Sequence, residues 1–373
     1  MNIEGVHFWK RGKTYYYRLP GEKTFHSTKQ TNKALARAYV ADILNNGKES
    51  KATLAEYAKD FYKWDVCQWI KRQKAKGRSF TETQAKARRK QLEKYLLPQF
   101  GSKRLEQLNP VEFENWLIGL DLANGTKNSI LYTMRIILRE AKREKVIRHD
   151  PLVDVEPLAN QYKKRDAFTL EELKRLFPKD EERLLEVWEE RYYTTLFHTM
   201  LTTGMRVGEI LALQWKHIIL EKRAILILQA VKAGGKIGTP KSGESRSVLI
   251  PGRTYEMLKK WNEESPLSGA DDFVFFGKKM DFRTQPLNRR TLDDKFKRAL
   301  KVAQIDIDGR NIVIHSFRHT YNTIMRSKLT EEQLHYMMGH KSRAMTDRYD
   351  QATPLQKVEA LLPALEKIDN VWQ

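Results

Sequence analysis

Between Thr126 and Val146 the apolar residues Ile130, Met134, Ile137, Leu138 and Ala141 recur at helical spacing. That is the period of a helix with one buried face. Arg135, Arg139 and Lys142 form a basic stripe elsewhere on the same helix. An amphipathic helix of this length buries its apolar stripe only against other elements. The flanking sequence supplies them. Thr53 is placed to cap a helix running through Ile70, and Lys71–Ser79 reads as a basic turn. Phe80–Leu97 reads as a helix ended by Pro98 and Gly101. Pro110–Leu120 has Asn109 as cap and proline at its first position, where the missing N–H costs nothing. Residues 51–160 are therefore expected to form an all-helical unit.

Both flanks read differently. Val6–Trp9, Thr14–Leu19 and Thr24–Thr28 are short β-branched and aromatic runs separated by turns at Gly12 and Pro20–Lys23. Asn32 then caps a helix over Lys33–Leu44. A three-stranded sheet plus one helix is expected over residues 1–50, with Lys10, Lys13, Tyr15, Tyr17 and Arg18 on the sheet. Asn160–Asp166 (NQYKKRD) reads as a polar linker. Beyond it, Thr169 and Glu172 have capping-box spacing. Arg191–Leu213 is a long apolar-periodic segment. Ala224–Leu228 and Ser247–Ile250 are strand-like, and Leu292–Ala303, Ser316–Ser327 and Pro354–Ile368 are helical. The expected whole is multidomain: a small sheet with a helix (1–50), an all-α domain (51–160), and a mixed, mainly α domain (161–373).

The net charge of +21 over 373 residues favours an acidic polymer as partner. It is unevenly spread. Residues 51–165 carry 25 basic and 14 acidic side chains, while residues 166–373 carry 34 and 29. Lys74, Lys76, Arg78, Arg88, Arg89, Arg135, Arg139 and Lys142 are the expected contacts to a nucleic-acid backbone, with solvated helix faces as the plain alternative. Cys67 is the single cysteine, which excludes an intramolecular disulfide and a cysteine-cluster zinc site. No run reaches the roughly 18 apolar residues of a spanning helix, and the N-terminus has no apolar signal region. The expected place is the cytoplasm, associated with DNA and not with a membrane.

Six residues with their flanks point to chemistry. They are Arg206 in TGMRVGE, Lys241 in TPKSGESRSV, His315 and Arg318 in HSFRHT, His340 in MGHKS and Tyr349 in DRY. Arginine grips phosphate with a rigid, permanently charged fork. Tyrosine can form a covalent intermediate. Charge growing on the oxygens of an attacked phosphorus is stabilised by preorganised cations. A departing 5′ oxygen needs a proton, and general acid catalysis supplies roughly 10²–10⁴-fold. No cofactor and no metal is expected: neither GxxxxGK[ST] nor HExxH occurs. Taken singly, Arg206 could be a surface arginine paired with Glu209, and Lys241 a solvated hairpin lysine with Lys232 and Lys236 nearby.

The order and flanks of these motifs resemble the tyrosine recombinases, the phage integrase family, over residues from about 53 to the end. The resemblance implies that Arg206 and Arg318 clamp the scissile phosphate and that Glu209 supports the site. It implies that Lys241 protonates the leaving 5′ hydroxyl and that His340 hydrogen-bonds the phosphate. His315 would bond a phosphate oxygen or help move the tyrosine proton, and Tyr349 would be the nucleophile. Residues 1–50 would be an arm-type DNA-binding domain and 51–160 the core-binding domain. The activity implied is site-specific recombination of double-stranded DNA by a homotetramer, for a prophage or conjugative transposon. A directionality factor and a DNA-bending protein are possible partners. The terminal helix would dock on a neighbour, with packing in cis as the alternative. A type IB topoisomerase-like enzyme and a catalytically silent DNA-binding relative are the rival readings. Gly208 and the loop expected over residues 253–272 depart from the family pattern without touching these motifs.

Overall fold

The computed structural model describes residues 5–46, 51–160, 165–232, 234–240, 243–277, 285–339 and 353–372. The chain divides into two compact units, 1–162 and 163–373.

The first unit opens with an antiparallel sheet ordered β1 (His7–Arg11), β2 (Thr14–Arg18) and β3 (His26–Ser27). Gly12 takes φ +60° in the tight β1–β2 turn, a conformation that costs glycine little. Asn32 Oδ1 accepts from the Ala34 and Leu35 amides and starts the helix Lys33–Asn46. Strand alternation turns Phe8 and Tyr17 inward, onto Val40 and Ile43 of that helix. Tyr17 is therefore buried and unavailable to a groove. The outer face instead carries Trp9, which packs on Tyr16 and Phe25, with the Arg18 guanidinium 5.0 Å from the Phe25 ring centre.

The rest of the first unit is helical, as expected. Its core gathers Ile70, Leu92, Leu96, Phe100, Phe113 and Leu117 around the apolar stripe of the helix Asn124–Arg143. Two boundaries differ from expectation. Thr53 does cap a helix, in a reciprocal box with Glu56, but that helix covers only Leu54–Tyr57. The chain then breaks, with Tyr62 at φ +63°, and resumes helix at Gln68–Ala75, so Lys71–Ala75 of the expected basic turn is helical and only the rest turns, through Gly77. The break buries the Tyr62 ring and lets its hydroxyl donate to the Thr133 carbonyl at 2.9 Å. The second difference is at Pro98. A wider π turn, Leu92–Leu96, follows the helix Glu82–Gln91, and Pro98 sits near the start of the final turn Leu97–Phe100. The chain stays helical past the proline because few N–H donors are due there.

The basic side chains of this unit sort into two groups. Lys74, Lys76, Arg78, Arg139 and Lys142 are exposed. Arg88, Arg89 and Arg135 are not free surface charges. Arg89 donates to the carbonyls of Ala58, Lys59 and Phe61 at 3.0–3.1 Å, closing the broken segment. Arg88 donates to Thr133 Oγ1, and Arg135 to the Val155 carbonyl. These arginines read as backbone contacts only while the helix break and the 150–160 segment are unseen.

In the second unit, Thr169 and Glu172 form the expected capping box at the helix Leu170–Leu176. The helix Arg191–Thr203 is buried along its length and packs against Gly252–Glu264 and Ser316–Met325. A sheet of β4 (Ile218–Ile219), β5 (Ala224–Ile227) and β8 (Arg246–Leu249) is antiparallel throughout. Between β5 and β8 lies a second hairpin, β6 (Ala230–Val231) with β7 (Ile237–Gly238). Residues 252–264, expected as loop, are helix, with Leu258 and Trp261 in the core.

The chain's last segment is two helices, Pro354–Leu361 and Leu365–Trp372, joined at Leu362–Ala364. They pack in cis: Val358, Leu361, Ala364, Ile368 and Trp372 join this unit's own core. Arg223 bonds both Asp369 oxygens, at 2.9 and 2.5 Å, and the Gly252 amide donates to Asp369 at 2.8 Å. Ile368→Ala should cost about 2–5 kcal/mol. The urea midpoint should fall by the same amount at every protein concentration. A tail held by a neighbour would instead give a midpoint that rises with concentration.

Candidate active site

The site is built where the Arg191–Thr203 helix stops. Gly204 ends it with φ +64°. A Cβ there would lie 2.7 Å from the Tyr321 ring and 3.1 Å from Met338 Sδ. Only glycine lets this helix end close on the two helices behind it. Two residues later Arg206 stands at the N-cap of the short helix Val207–Leu211. Glu209 folds back on it, accepting from the Arg206 amide at 2.8 Å and from Arg206 Nη1 at 2.9 Å.

Glu209 also meets Arg246 of β8 in a two-pronged pair, Nη1 to Oε1 at 2.8 Å and Nη2 to Oε2 at 2.7 Å. Both partners are almost fully buried. Burial alone would raise the Glu209 carboxyl. The hydrogen bonds and charge of Arg246, then those of Arg206, outweigh it and hold the pKa at about 2.

The third guanidinium is Arg318, 4% exposed, from the helix Ser316–Met325. It donates to the Gly204 carbonyl at 2.6 Å and to the Met338 carbonyl. Burial, with the charges of Arg206 and Arg246, lowers it to about 9. It stays charged at neutral pH, in a place crowded with positive charge. His315 stands at the N-cap of the same helix, half-buried. Burial, then the charges of Arg165 and Arg318, pushes it down to about 4, so its ring is neutral at pH 7. His319 is exposed, its ring 5.7 Å from that of His315.

All three arginines converge on the C-terminal end of the helix Glu331–Met338. Arg246 Nε donates to the Met337 carbonyl at 2.8 Å, Arg318 to that of Met338, and Arg206 Nη2 to that of Gly339 at 3.2 Å. A helix end leaves such carbonyls unpaired and carries partial negative charge. Gly339 takes φ +61°, and a Cβ there would press on Arg246 at 3.0 Å.

The structure thus brings Arg206, Glu209, His315 and Arg318 together. Lys241, His340 and Tyr349 lie outside the described residues. The other tyrosines near this site are committed elsewhere. Tyr321 is wholly buried, which raises its hydroxyl pKa, and Tyr336 accepts from the Ser247 amide at 3.0 Å. Arg246 was missed by sequence reading. What marks it is its burial against Glu209, 37 positions earlier, which no local pattern announces. Among the described residues no group of three His, Cys, Asp or Glu could hold a metal ion, and no helix is long and apolar enough to cross a membrane. Among the described residues three guanidiniums surround one carboxylate here, and a surplus of positive charge suits an anion.

Residues 169–355 match the model of the Phage integrase family, and the chain belongs to that family. It is 27% identical to the ICEBs1 integrase of Bacillus subtilis (strain 168) over 229 residues, 57% of each chain. This protein therefore spans just over half the length of that relative. Among solved structures, it resembles the Tn1549 transposon integrase bound to a circular-intermediate DNA. The TM-score is 0.59 at 18% identity, over 79% of this chain and 96% of that one. A lambda integrase tetramer bound to a Holliday junction gives 0.60 at 17%, over 91% and 96%. At these identities the structures share the fold.

Glu209→Gln leaves Arg246 buried without its counter-charge and should cost about 3–5 kcal/mol. The pH dependence has a definite sign. The Glu209 pKa is depressed to about 2, so its stabilisation is complete above the unfolded value of about 4.3 and is lost as pH falls through about 2. The gap in urea midpoint between wild type and Glu209→Gln should hold steady from pH 7 to 5 and close toward pH 2. A gap independent of pH would contradict the buried ion pair.

Proposed function

We propose that this protein is a site-specific DNA recombinase, an integrase that cleaves and rejoins strands through a covalent 3′-phosphotyrosine. The observation that carries this reading is the cluster of Arg206, Arg246 and Arg318 around the carboxylate of Glu209, at the end of the helix Glu331–Met338 that precedes Gly339-His340 in sequence. Such a cluster suits a phosphodiester, whose charge grows as the phosphorus becomes five-coordinate. Arg206 keeps part of its side chain at the surface, 21% exposed, where a phosphate can reach it.

In this mechanism the Tyr349 phenol oxygen attacks phosphorus and the bond to the 5′ oxygen breaks. Lys241 gives its proton to that oxygen. The neutral ring of His315 has a lone pair to take the phenol proton or to order a phosphate oxygen. His340 hydrogen-bonds the phosphate. The 5′ hydroxyl of a second strand reverses the step, and the phosphotyrosine bond conserves the linkage energy. The chain's three parts divide the work as arm-type, core-binding and catalytic domains. Lys74, Lys76, Arg78, Arg139 and Lys142, all exposed, are the core-binding residues for the DNA backbone. Four protomers on DNA, aided by a directionality factor and a bending protein, form the recombining assembly of a prophage or conjugative element in the cytoplasm.

A nicked suicide duplex tests the reading. Wild type should trap a denaturation-resistant protein–DNA adduct, and Tyr349→Phe should trap none while binding the duplex with unchanged affinity. Exchange between two marked duplexes should follow, which a solitary relaxing enzyme would not give. An adduct surviving in Tyr349→Phe rejects the assignment.

A further inference from the structure

We propose that Arg246 is a positioning residue for strand cleavage, locking Arg206 and the turn before His340 into one geometry. The proposal rests on the recombinase reading and extends it to a residue outside the six motif positions.

Arg246 does not itself meet DNA. It is 2% exposed, and Nε, Nη1 and Nη2 are each bonded inside the protein. Its three bonds join three elements. Two go to Glu209 on the Val207–Leu211 helix, and the third goes to the Met337 carbonyl at the end of the helix Glu331–Met338. Glu209 relays the constraint. Oε1 is shared by Arg246 Nη1 and Arg206 Nη1, and Oε2 by Arg246 Nη2 and the Arg206 amide. With every acceptor direction spoken for, the carboxylate cannot rotate, and the Arg206 fork has one orientation.

The same guanidinium supports the turn. A Cβ at Gly339 would sit 3.0–3.1 Å from Arg246, so the turn residue rests directly against it. The next residue on β8, Ser247, repeats the link: its amide and hydroxyl bond the Tyr336 hydroxyl at 3.0 and 3.1 Å. One short strand, starting five residues after Lys241 in sequence, thus joins the first arginine to the turn at Gly339. A displacement of about 1 Å in such groups costs on the order of 100-fold in rate.

The experiment uses the full chain. Nicked duplexes are tiled across a sequence that the wild-type protein enriches from a random pool. Single-turnover cleavage, duplex affinity and urea midpoint are measured for wild type, Arg246→Met, Arg246→Lys and the double variant Glu209→Gln/Arg246→Met. Arg246→Met should cleave roughly 100-fold more slowly with affinity within about threefold of wild type. Arg246→Lys, with one charge but no fork, should recover part of the rate. The double variant removes both buried charges, so it should regain stability over Arg246→Met yet stay slow. A purely structural salt bridge would return cleavage along with stability.

A pH profile gives a second reading. Glu209 faces Arg206 at its own helix start, Arg246 from β8, and Arg318 from the Ser316–Met325 helix, with His315 and Tyr321 beside that arginine. Removing Arg246 raises the Glu209 pKa. Residual cleavage by Arg246→Met should then climb with pH over about 5 to 7, a limb absent from wild type. Wild-type cleavage rates and profile in Arg246→Met, or recovery in the double variant, overturn the positioning role while leaving the recombinase reading intact. A wild-type chain that forms no adduct overturns both.

Discussion

Three consecutive carbonyls, those of Met337, Met338 and Gly339, each receive a hydrogen bond from a different arginine. The rest of the site depends on this convergence. Each guanidinium comes from a different part of the chain: Arg206 from the start of a short helix, Arg246 from β8, and Arg318 from the helix Ser316–Met325. Like charges so placed repel. They are held because a helix end supplies unpaired carbonyls and partial negative charge. Glu209, lowered to about 2 by its arginine partners against the pull of burial, supplies the only full counter-charge from the carboxylates described at this point.

The packing around the cluster follows from it. Gly204 and Gly339 both adopt positive φ, and at both a side chain would strike the residues that form the site, Tyr321 and Met338 at one and Arg246 at the other. Gly208 plays a similar part for the β6 hairpin. A Cβ there would lie 2.5 Å from the Val231 carbonyl, so the hairpin can lie directly on the helix that carries Glu209. β8 is covered on its other side by the tail helix Pro354–Leu361, anchored through Lys222 with Glu359 at 2.7 Å. The tail therefore stabilises the strand that presents Arg246, although it touches none of the three guanidiniums through any described bond.

Much of this was legible in the sequence where local chemistry decides the outcome. Thr53, Asn109 and Thr169 all cap helices through side-chain bonds to backbone amides three residues on, a pattern set by neighbouring residues alone. The apolar stripe of the Asn124–Arg143 helix is likewise a local signal, and its buried face matches. Distant partners were illegible. Tyr62 leaves the helical path because its hydroxyl finds Thr133, 71 positions away. Arg89 turned inward because that break exposes three carbonyls. Arg246 was overlooked because its meaning lies in Glu209, 37 positions earlier. At the site, the spacing of His315 and Arg318 placed both on one helix start, but the burial that makes one neutral and crowds the other is tertiary.

The crowding of positive charge also bears on how the site would meet an anion. Arg318 is lowered to about 9 by burial and by the charges of Arg206 and Arg246, so its own charge sits in an unfavourable field. A phosphate entering between Arg206 and Arg318 would relieve that repulsion, and a growing charge on its oxygens would relieve it further. On the proposed recombinase reading, the relief would increase along the reaction because the guanidiniums are fixed beforehand by carbonyls and by Glu209 and need not reorganise. On that reading, stability given up in the folded protein would return as preferential binding of the charged transition state. A helix end and one buried carboxylate are enough to keep three cations in place until that charge arrives.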